Sequence, residues 1–178
     1  MGIDKAFIHV SGFTLLDRAV RALRVGGAKP VVVVGGDRPR VEAAGHEFIP
    51  DDHPGEGPLG GIITALRSLD CDLVIVLACD LLDPSPIAVS ALVDVIGSAD
   101  VAVPVVNGRA QWLHAGWRRA SLRPLVAAFD AGERAPRHAV EELQVIEVVD
   151  AASRWFVDAD TPDELPAGTI TELGHRDR

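Results

Sequence analysis

The chain has 178 residues, and 48% of them are hydrophobic, which is enough to bury one core and favours a single domain. Aromatic residues make up only 4% of the chain and tyrosine is absent, so the core is built mainly from aliphatic side chains, as in strands that helices cover on both faces. The formal net charge of −9 opposes binding to nucleic acid, but it is compatible with a nucleoside triphosphate when a divalent cation lies between carboxylates and phosphates.

Cys71 and Cys79 are the only cysteines in the sequence. They are too few for a disulfide framework and lack the spacing of a zinc site. Cys79 is expected to be a small buried side chain rather than a nucleophile, because no neighbour in the sequence would lower its pKa. The sequence also has no secretion signal and no apolar run near the ~18 residues that a membrane span needs. A cytoplasmic protein without a membrane or nucleic-acid partner is therefore expected, and no sequence feature indicates an oligomeric state.

The first half of the chain alternates between helices and strands that caps, glycines and apolar runs delimit. In chain order, we predict a helix capped by Thr14 and ended by Gly26 and Gly27, a buried strand at residues 31–34, a loop at 50–61, a short helix at 62–69, a second buried strand at 72–78 and a helix opened by Pro86. This alternation predicts an α/β fold with a mostly parallel sheet.

The second half begins with a hairpin signal. Asn107 and Gly108 separate two apolar runs, residues 101–106 and 110–117, which predicts a two-residue turn and an antiparallel excursion. Further along we predict helices at residues 119–131 and 136–143, strands at 145–149 and 155–157, and a last helix capped by Thr161. Residues 1–165 are expected to form one domain, and residues 166–178 a flexible tail.

Acidic side chains follow two of the predicted strands. Asp80 comes directly after the strand at residues 72–78, and ligands collect beyond the carboxyl ends of parallel strands, so Asp80 is a candidate metal ligand. The alternative is that Asp80 or Asp83 caps the next turn. Asp158 and Asp160 follow residues 155–157, and they either share a hard cation or begin a helix.

A glycine-rich loop precedes the predicted helix at residues 62–69. It runs from Asp51 and Asp52 to Gly61 and contains four glycines, which would let backbone amides approach a ligand at a helix N-terminus. An ordinary connecting loop is the alternative, although this one is longer and more acidic than a connection requires.

Six motifs in this order resemble the molybdenum cofactor guanylyltransferase-like group of nucleotidyltransferases. They are M-G-I-D-K-A at residues 1–6, G-F-T-L-L-D-R at 12–18, the loop at 54–61, A-C-D at 78–80, L-H-A-G-W-R at 113–118 and the segment 156–165. The resemblance spans nearly the whole chain, and it implies a three-layer, Rossmann-like nucleotidyltransferase fold.

The resemblance also implies roles for individual residues. Lys5 would contact the nucleotide phosphates and Asp80 would bind Mg²⁺, and these two are the candidate catalytic residues. The other candidates for the nucleotide are Gly35, Asp51, Asp52, Gly57, Pro58, Leu59 and Gly60. Asp158 would complete the metal site, while Gln111, His114 and Asp160 are candidates for the acceptor. For His114, a packed or surface residue is the alternative.

The chain departs from the family pattern at two places. The family motif L-A-G-G-x-S-x-R-M-G-x-D-K follows a strand that is normally central in the sheet, and only M-G-I-D-K is present here. Without that strand, two neighbouring strands would lose a ladder partner, at ~1–3 kcal/mol for each unpaired backbone group, and the chain alone is expected to be poorly stable or inactive. We expect a misplaced start or a truncation, with the natural protein beginning roughly 15–20 residues earlier, and a true loss of the strand and its loop is the alternative.

The second departure lies on the acceptor side, at Trp112 and at the acids at 158 and 160.

The expected reaction is the Mg²⁺-dependent transfer of a nucleoside monophosphate from a triphosphate to a phosphorylated acceptor, with release of pyrophosphate. GTP and molybdopterin are the substrates that the resemblance favours. One alternative is another nucleotidyltransferase, which uses CTP or acts on a sugar phosphate or phospholactate. The other is a non-catalytic paralogue that binds a nucleotide or a partner.

Overall fold

The computed structural model describes residues 4–149, which form a mixed α/β structure as predicted. The helices are α1 (Leu15–Val25), α2 (Arg38–Ala43), α3 (Pro58–Ser68), α4 (Pro86–Val95), α5 (Leu122–Asp130) and α6 (Pro136–Ala139). The strands are β1 (His9–Val10), β2 (Phe13–Thr14), β3 (Val32–Val34), β4 (Glu47–Ile49), β5 (Leu73–Ile75), β6 (Val101–Val106), β7 (Arg109–Ala110), β8 (Gly116–Arg118) and β9 (Val145–Val148). Three short 3-10 turns lie at Lys5–Phe7, Trp112–His114 and Arg119–Ser121. No helix among residues 4–149 is long and apolar enough to cross a membrane.

Helix α1 begins and ends as predicted. The Thr14 hydroxyl accepts a hydrogen bond from the Asp17 amide at 3.0 Å, and the Asp17 carboxylate accepts one from the Thr14 amide at 3.1 Å, which completes a capping box. The helix ends at Gly26, and Gly27 has a φ of 95°, which a side chain would rarely tolerate. Its apolar face, including Leu16 and Val20, is buried.

The described strands form one larger sheet, one separate parallel pair and a short antiparallel pair of β1 with β2. In the larger sheet, β5 and β6 both run antiparallel to β8, and β9 runs parallel to β6, so β5, β6 and β9 share one direction. Strand β3 pairs in parallel with β4 and with no other strand among residues 4–149. The strands that alternate with helices therefore run mainly in parallel, and β7 with β8 makes the antiparallel excursion.

The hairpin between β6 and β7 is confirmed at Asn107 and Gly108. Both residues have positive φ, 49° and 73°, as a type I′ turn requires. The predicted strand at residues 110–117 is interrupted, however, because the chain turns at Trp112–His114 before β8 begins. Hydrogen bonds from the Gln111 amide to the Pro104 carbonyl and from the His114 amide to the Gln111 carbonyl, both 2.9 Å, hold this turn.

Several other predictions need correction. Helix α3 begins at Pro58 rather than at residue 62, and α6 ends at Ala139 rather than at residue 143. Helix α2 and strand β4 were not predicted. The predicted elements at 155–157 and after Thr161, and the tail at 166–178, lie outside the described residues.

Two apolar cores occupy opposite sides of a gap between the sheets. The larger core packs α3 and α5 against the larger sheet, around the fully buried Trp117 and Leu66. The smaller core packs α1 and α2 against β3 and its neighbours, around Leu16 and Val41. A cavity of about 710 Å³ lies between β3 and β5, and the candidate site lies beside it.

Candidate functional site at the mouth of the cavity

The cavity has strand edges for walls and helices above and below. Residues 31–34 and 73–79 line it from the two sheets, and α1, α3 and α4 each contribute side chains. Three of the predicted site residues, Asp51, Gly57 and Pro58, lie among the lining residues. The cavity lining therefore includes three residues that were predicted to bind the nucleotide, near the carboxyl ends of the strands.

Asp51 is fixed at one corner of the cavity by hydrogen bonds. It follows β4, and one of its carboxylate oxygens accepts from the Thr64 hydroxyl and from the His53 amide, each at 3.0 Å. The Asp52 amide donates to the Thr64 hydroxyl oxygen at 3.1 Å. Gly35 lies directly opposite, since a Cβ on it would stand 3.3 Å from the Asp51 Cβ. The structure thus brings Gly35, Asp51 and Asp52 together, three of the residues predicted to bind the nucleotide.

The segment 57–60 divides into two exposed and two buried residues. Gly57, with a φ of 92°, and Pro58 are exposed where α3 begins. Leu59 is fully buried, and its amide donates to the Arg134 carbonyl at 3.2 Å. Gly60 is also buried, because a Cβ there would stand 2.8 Å from the His53 Cβ. The structure therefore leaves Gly57 and Pro58 open to a ligand and directs Leu59 and Gly60 into the core.

Cys79 lines the cavity, and the carboxylates of Asp80 and Asp4 both act on its thiol. Cys79 follows β5, and desolvation, then the Asp80 carboxylate, then that of Asp4 raise its pKa to about 11. Both carboxylates therefore lie close to this thiol. Lys5, the predicted phosphate-binding lysine, follows Asp4 and begins the turn Lys5–Phe7.

Cys79 itself is exposed rather than buried, which corrects the expectation of a small core residue. The raised pKa keeps its thiol protonated at neutral pH, and a thiol is a poor nucleophile compared with a thiolate. Cys79 is therefore unsuited to nucleophilic catalysis, as the sequence suggests.

The two described candidates for the acceptor differ in exposure. Gln111 is half-buried, and its side-chain amide donates to the Arg109 carbonyl at 3.1 Å. His114 is only 4% exposed, and burial lowers its pKa to about 4, so it is neutral at physiological pH. This burial supports the packed alternative for His114. Asp160 lies outside the described residues.

Two residues near the site were not singled out from the sequence. Thr64 orients Asp51, and the only sequence signal is a polar residue on the apolar face of a helix. Asp4 caps the turn that carries Lys5, because its carboxylate accepts from the Ala6 amide at 3.2 Å. Asp4 is part of the M-G-I-D-K motif, so that motif was the available signal.

Whether Mg²⁺ would fit the candidate site depends on the carboxylates that could bind it. No group of three or more His, Cys, Asp or Glu side chains within residues 4–149 is arranged to hold a metal. Mg²⁺ is usually bound by one or two carboxylates together with substrate phosphates and waters. The single carboxylate of Asp80 is compatible with that smaller donor set, while Asp158 lies outside the described part of the chain.

Comparison with known proteins identifies the family. The model of the MobA-like NTP transferase domain matches residues 1–147. The chain belongs to this family. It is 30% identical to a "probable molybdenum cofactor guanylyltransferase" of Chloroflexus aggregans over 177 residues, which covers 92% of the chain and 85% of that relative. The resemblance drawn from the six motifs is thereby confirmed.

Solved structures agree on the fold of this MobA-like NTP transferase. The molybdopterin-guanine dinucleotide biosynthesis protein A of Archaeoglobus fulgidus superimposes with a TM-score of 0.72 at 24% identity, covering 92% of this chain and 87% of that one. The 2-C-methyl-D-erythritol 4-phosphate cytidylyltransferase of Thermus thermophilus also gives 0.72, at 21% identity, covering 95% and 94%. Both support the Rossmann-like nucleotidyltransferase fold.

Proposed function

We propose that this MobA-like NTP transferase moves GMP from GTP to molybdopterin in an Mg²⁺-dependent reaction that releases pyrophosphate. The observation that carries the proposal is the 30% identity to a probable molybdenum cofactor guanylyltransferase over 92% of the chain. Gly35 and Asp51 face each other beyond β3 and β4, and this arrangement supports a nucleotide bound at this end of the strands.

In this reaction a phosphate oxygen of the acceptor attacks the α-phosphorus of GTP. The bond from that phosphorus to the α,β-bridging oxygen breaks, and pyrophosphate leaves. A phosphate monoester has a second pKa of about 6 and is already anionic at neutral pH, so no strong general base is required. Catalysis then depends on positioning the reactants and on neutralising charge.

The residues of the site would divide this work. The Lys5 ammonium would neutralise charge on the phosphate oxygens, and Gly57 and Pro58 would admit the nucleotide to the positive end of α3. Asp51, held by Thr64, would orient the nucleoside through its carboxylate. Asp80 would hold Mg²⁺, which when bound stabilises negative charge on the phosphates.

A triphosphate panel tests the substrates. The protein is incubated with GTP, CTP, ATP or UTP, with and without molybdopterin and with Mg²⁺ or EDTA, and pyrophosphate is measured. Release should require GTP, molybdopterin and Mg²⁺ together. Release from CTP, or with a sugar phosphate or phospholactate as acceptor, would instead identify a different nucleotidyltransferase. Binding of GTP without any release would identify a non-catalytic paralogue.

The Asp80→Asn variant tests the role of the acid after β5. Removing this charge should lower the rate of pyrophosphate release by at least about 10²–10³-fold while circular dichroism stays unchanged. Asp83→Asn is the matched control, because Asp83 is exposed and pairs with Arg18 at 3.6 Å, away from the cavity lining. Near-normal turnover by Asp80→Asn, or an equal loss in both variants, would contradict the proposed role.

A further inference from the structure

The loop of residues 51–57, which precedes α3, is held against α5 by ring contacts. The His53 ring lies 4.4 Å from the Phe129 ring, measured between the centroids, with 48° between the ring planes. Phe129 is buried near the end of α5. The guanidinium carbon of Arg134 lies 4.0 Å from the centroid of the same ring, within the range of a cation–π interaction. One buried ring therefore contacts both the loop and Arg134.

The Arg134 side chain is fixed by three hydrogen bonds. One terminal nitrogen donates to the carbonyls of Phe129 at 2.8 Å and of Glu133 at 2.9 Å. The other terminal nitrogen donates to a carboxylate oxygen of Glu56 at 2.9 Å. Ion pairs between exposed side chains usually contribute little, because ordering two flexible side chains offsets their attraction. Here the carbonyls and the ring already order the guanidinium, so the bond to Glu56 needs less additional ordering.

The backbone of Arg134 holds the end of the same loop. Its carbonyl accepts from the Leu59 amide at 3.2 Å, in the first turn of α3, where amides lack partners inside the helix. A Cβ on Gly57 would stand only 3.1 Å from this carbonyl oxygen. The side chain and the backbone of Arg134 therefore fix the segment that contains Gly57 and Pro58, the exposed residues where α3 begins.

Arg67 is a second cation at this loop, and its contacts are longer. One of its terminal nitrogens lies 3.7 Å from a carboxylate oxygen of Asp52 and 3.5 Å from a ring nitrogen of His53. Both distances are at or beyond the limit of a hydrogen bond. The bonds of Arg134, at 2.8–2.9 Å, therefore restrict the loop more strictly than those of Arg67 do.

We propose that Arg134 is a positioning residue, which holds the loop 51–57 against α5 and so keeps the start of α3 in place for the nucleotide. It acts through Glu56 and Gly57. A loop that is ordered before the ligand arrives lowers the cost of binding. The benefit to the nucleotide rests on the proposed function, whereas the ordering of the loop by Arg134 does not.

Hydrogen exchange, measured by NMR without nucleotide, tests the ordering of the loop. The Glu56 amide donates to the His53 carbonyl at 3.1 Å. The His53 amide donates to the Asp51 carboxylate at 3.0 Å, so both amides report on the loop. Arg134→Met keeps an unbranched side chain and removes the charge and the donors. Exchange at both amides should then become at least about tenfold faster.

Two variants and one amide serve as controls. Arg123→Met removes an arginine from an exposed position in the first turn of α5 and should leave exchange in the loop unchanged. Arg134→Lys keeps a positive charge for Glu56 and should recover part of the protection. The Val76 amide donates to the Ala115 carbonyl at 2.9 Å and should change little in every variant, because it reports on the larger sheet.

Steady-state kinetics with GTP test the consequence for the nucleotide. Arg134→Met should raise the KM for GTP at least about tenfold and change kcat by less than about threefold, because a disordered loop weakens binding of the ground state and of the transition state alike. Arg134→Lys should give a KM between those of Arg134→Met and the natural chain. Arg123→Met should match the natural chain in both constants.

Three results would overturn the proposal. The first is unchanged exchange at the Glu56 and His53 amides in Arg134→Met. The second is an equal rise at the Val76 amide, which would mean that the variant opens as a whole. The third is a fall in kcat at constant KM, since that is what a loss of folded protein produces. If the natural chain used no GTP, the proposed function would fail, and exchange at these amides would still decide whether Arg134 orders the loop.

Discussion

Protonation of His114 should destabilise the fold as the pH falls below neutrality. Burial lowers the pKa of His114 to about 4 in the folded chain, whereas an unfolded histidine has a pKa of about 6.5. Between these values the unfolded chain binds a proton that the folded chain does not, so acid favours unfolding. The loss should be about 2 kcal/mol by pH 5 and approach about 3 kcal/mol near pH 4.

The assay is urea unfolding at pH 7.5, 6.5, 5.5 and 5.0, followed by tryptophan fluorescence. His114→Gln removes the titrating group, so the free energy of unfolding of this variant should fall by about 2 kcal/mol less than that of the natural chain between pH 7.5 and pH 5. The control is His9→Gln, which removes one imidazole from an exposed position. Equal pH dependence in the natural chain and in His114→Gln would refute the reasoning.

Two further substitutions test the packing of α1. Thr14→Ala removes the hydroxyl that accepts from the Asp17 amide at 3.0 Å, so thermal unfolding should show a loss of about 1 kcal/mol, and an unchanged melting temperature would contradict the cap. Gly26→Ala places a Cβ 2.6 Å from the Val89 Cβ and should cost about 1–3 kcal/mol. Gly61→Ala is its control, since a Cβ at Gly61 meets open space, and equal destabilisation by both would argue against a steric cause.

The elements predicted from the sequence are those with strong local signals. Thr14 and Gly27 delimit α1 by capping and by a positive φ, and Asn107 with Gly108 specifies the hairpin by the same backbone requirement. Helix α2 and strand β4 have six and three residues, which is too short for a hydrophobic period to be recognised.

The start of α3 shows how packing overrides a local signal. Gly60 and Gly61 indicate a loop, because glycine is unfavourable inside a helix. In the structure Gly60 lies in the helix where His53 packs against it, and a larger residue would collide with the His53 Cβ at 2.8 Å. The close approach of the preceding loop is a tertiary contact that the local sequence does not report.

The candidate site shows the same contrast between local sequence signals and tertiary contacts. Asp80 is predictable because an acid directly after a buried strand marks the carboxyl end of a sheet. The burial of Leu59 is not predictable, because it depends on a distant segment. The Leu59 amide bonds to the Arg134 carbonyl, which is 75 positions further along the chain by residue number. Sequence reasoning can therefore name the acids of the site better than it can decide which neighbouring side chains face it.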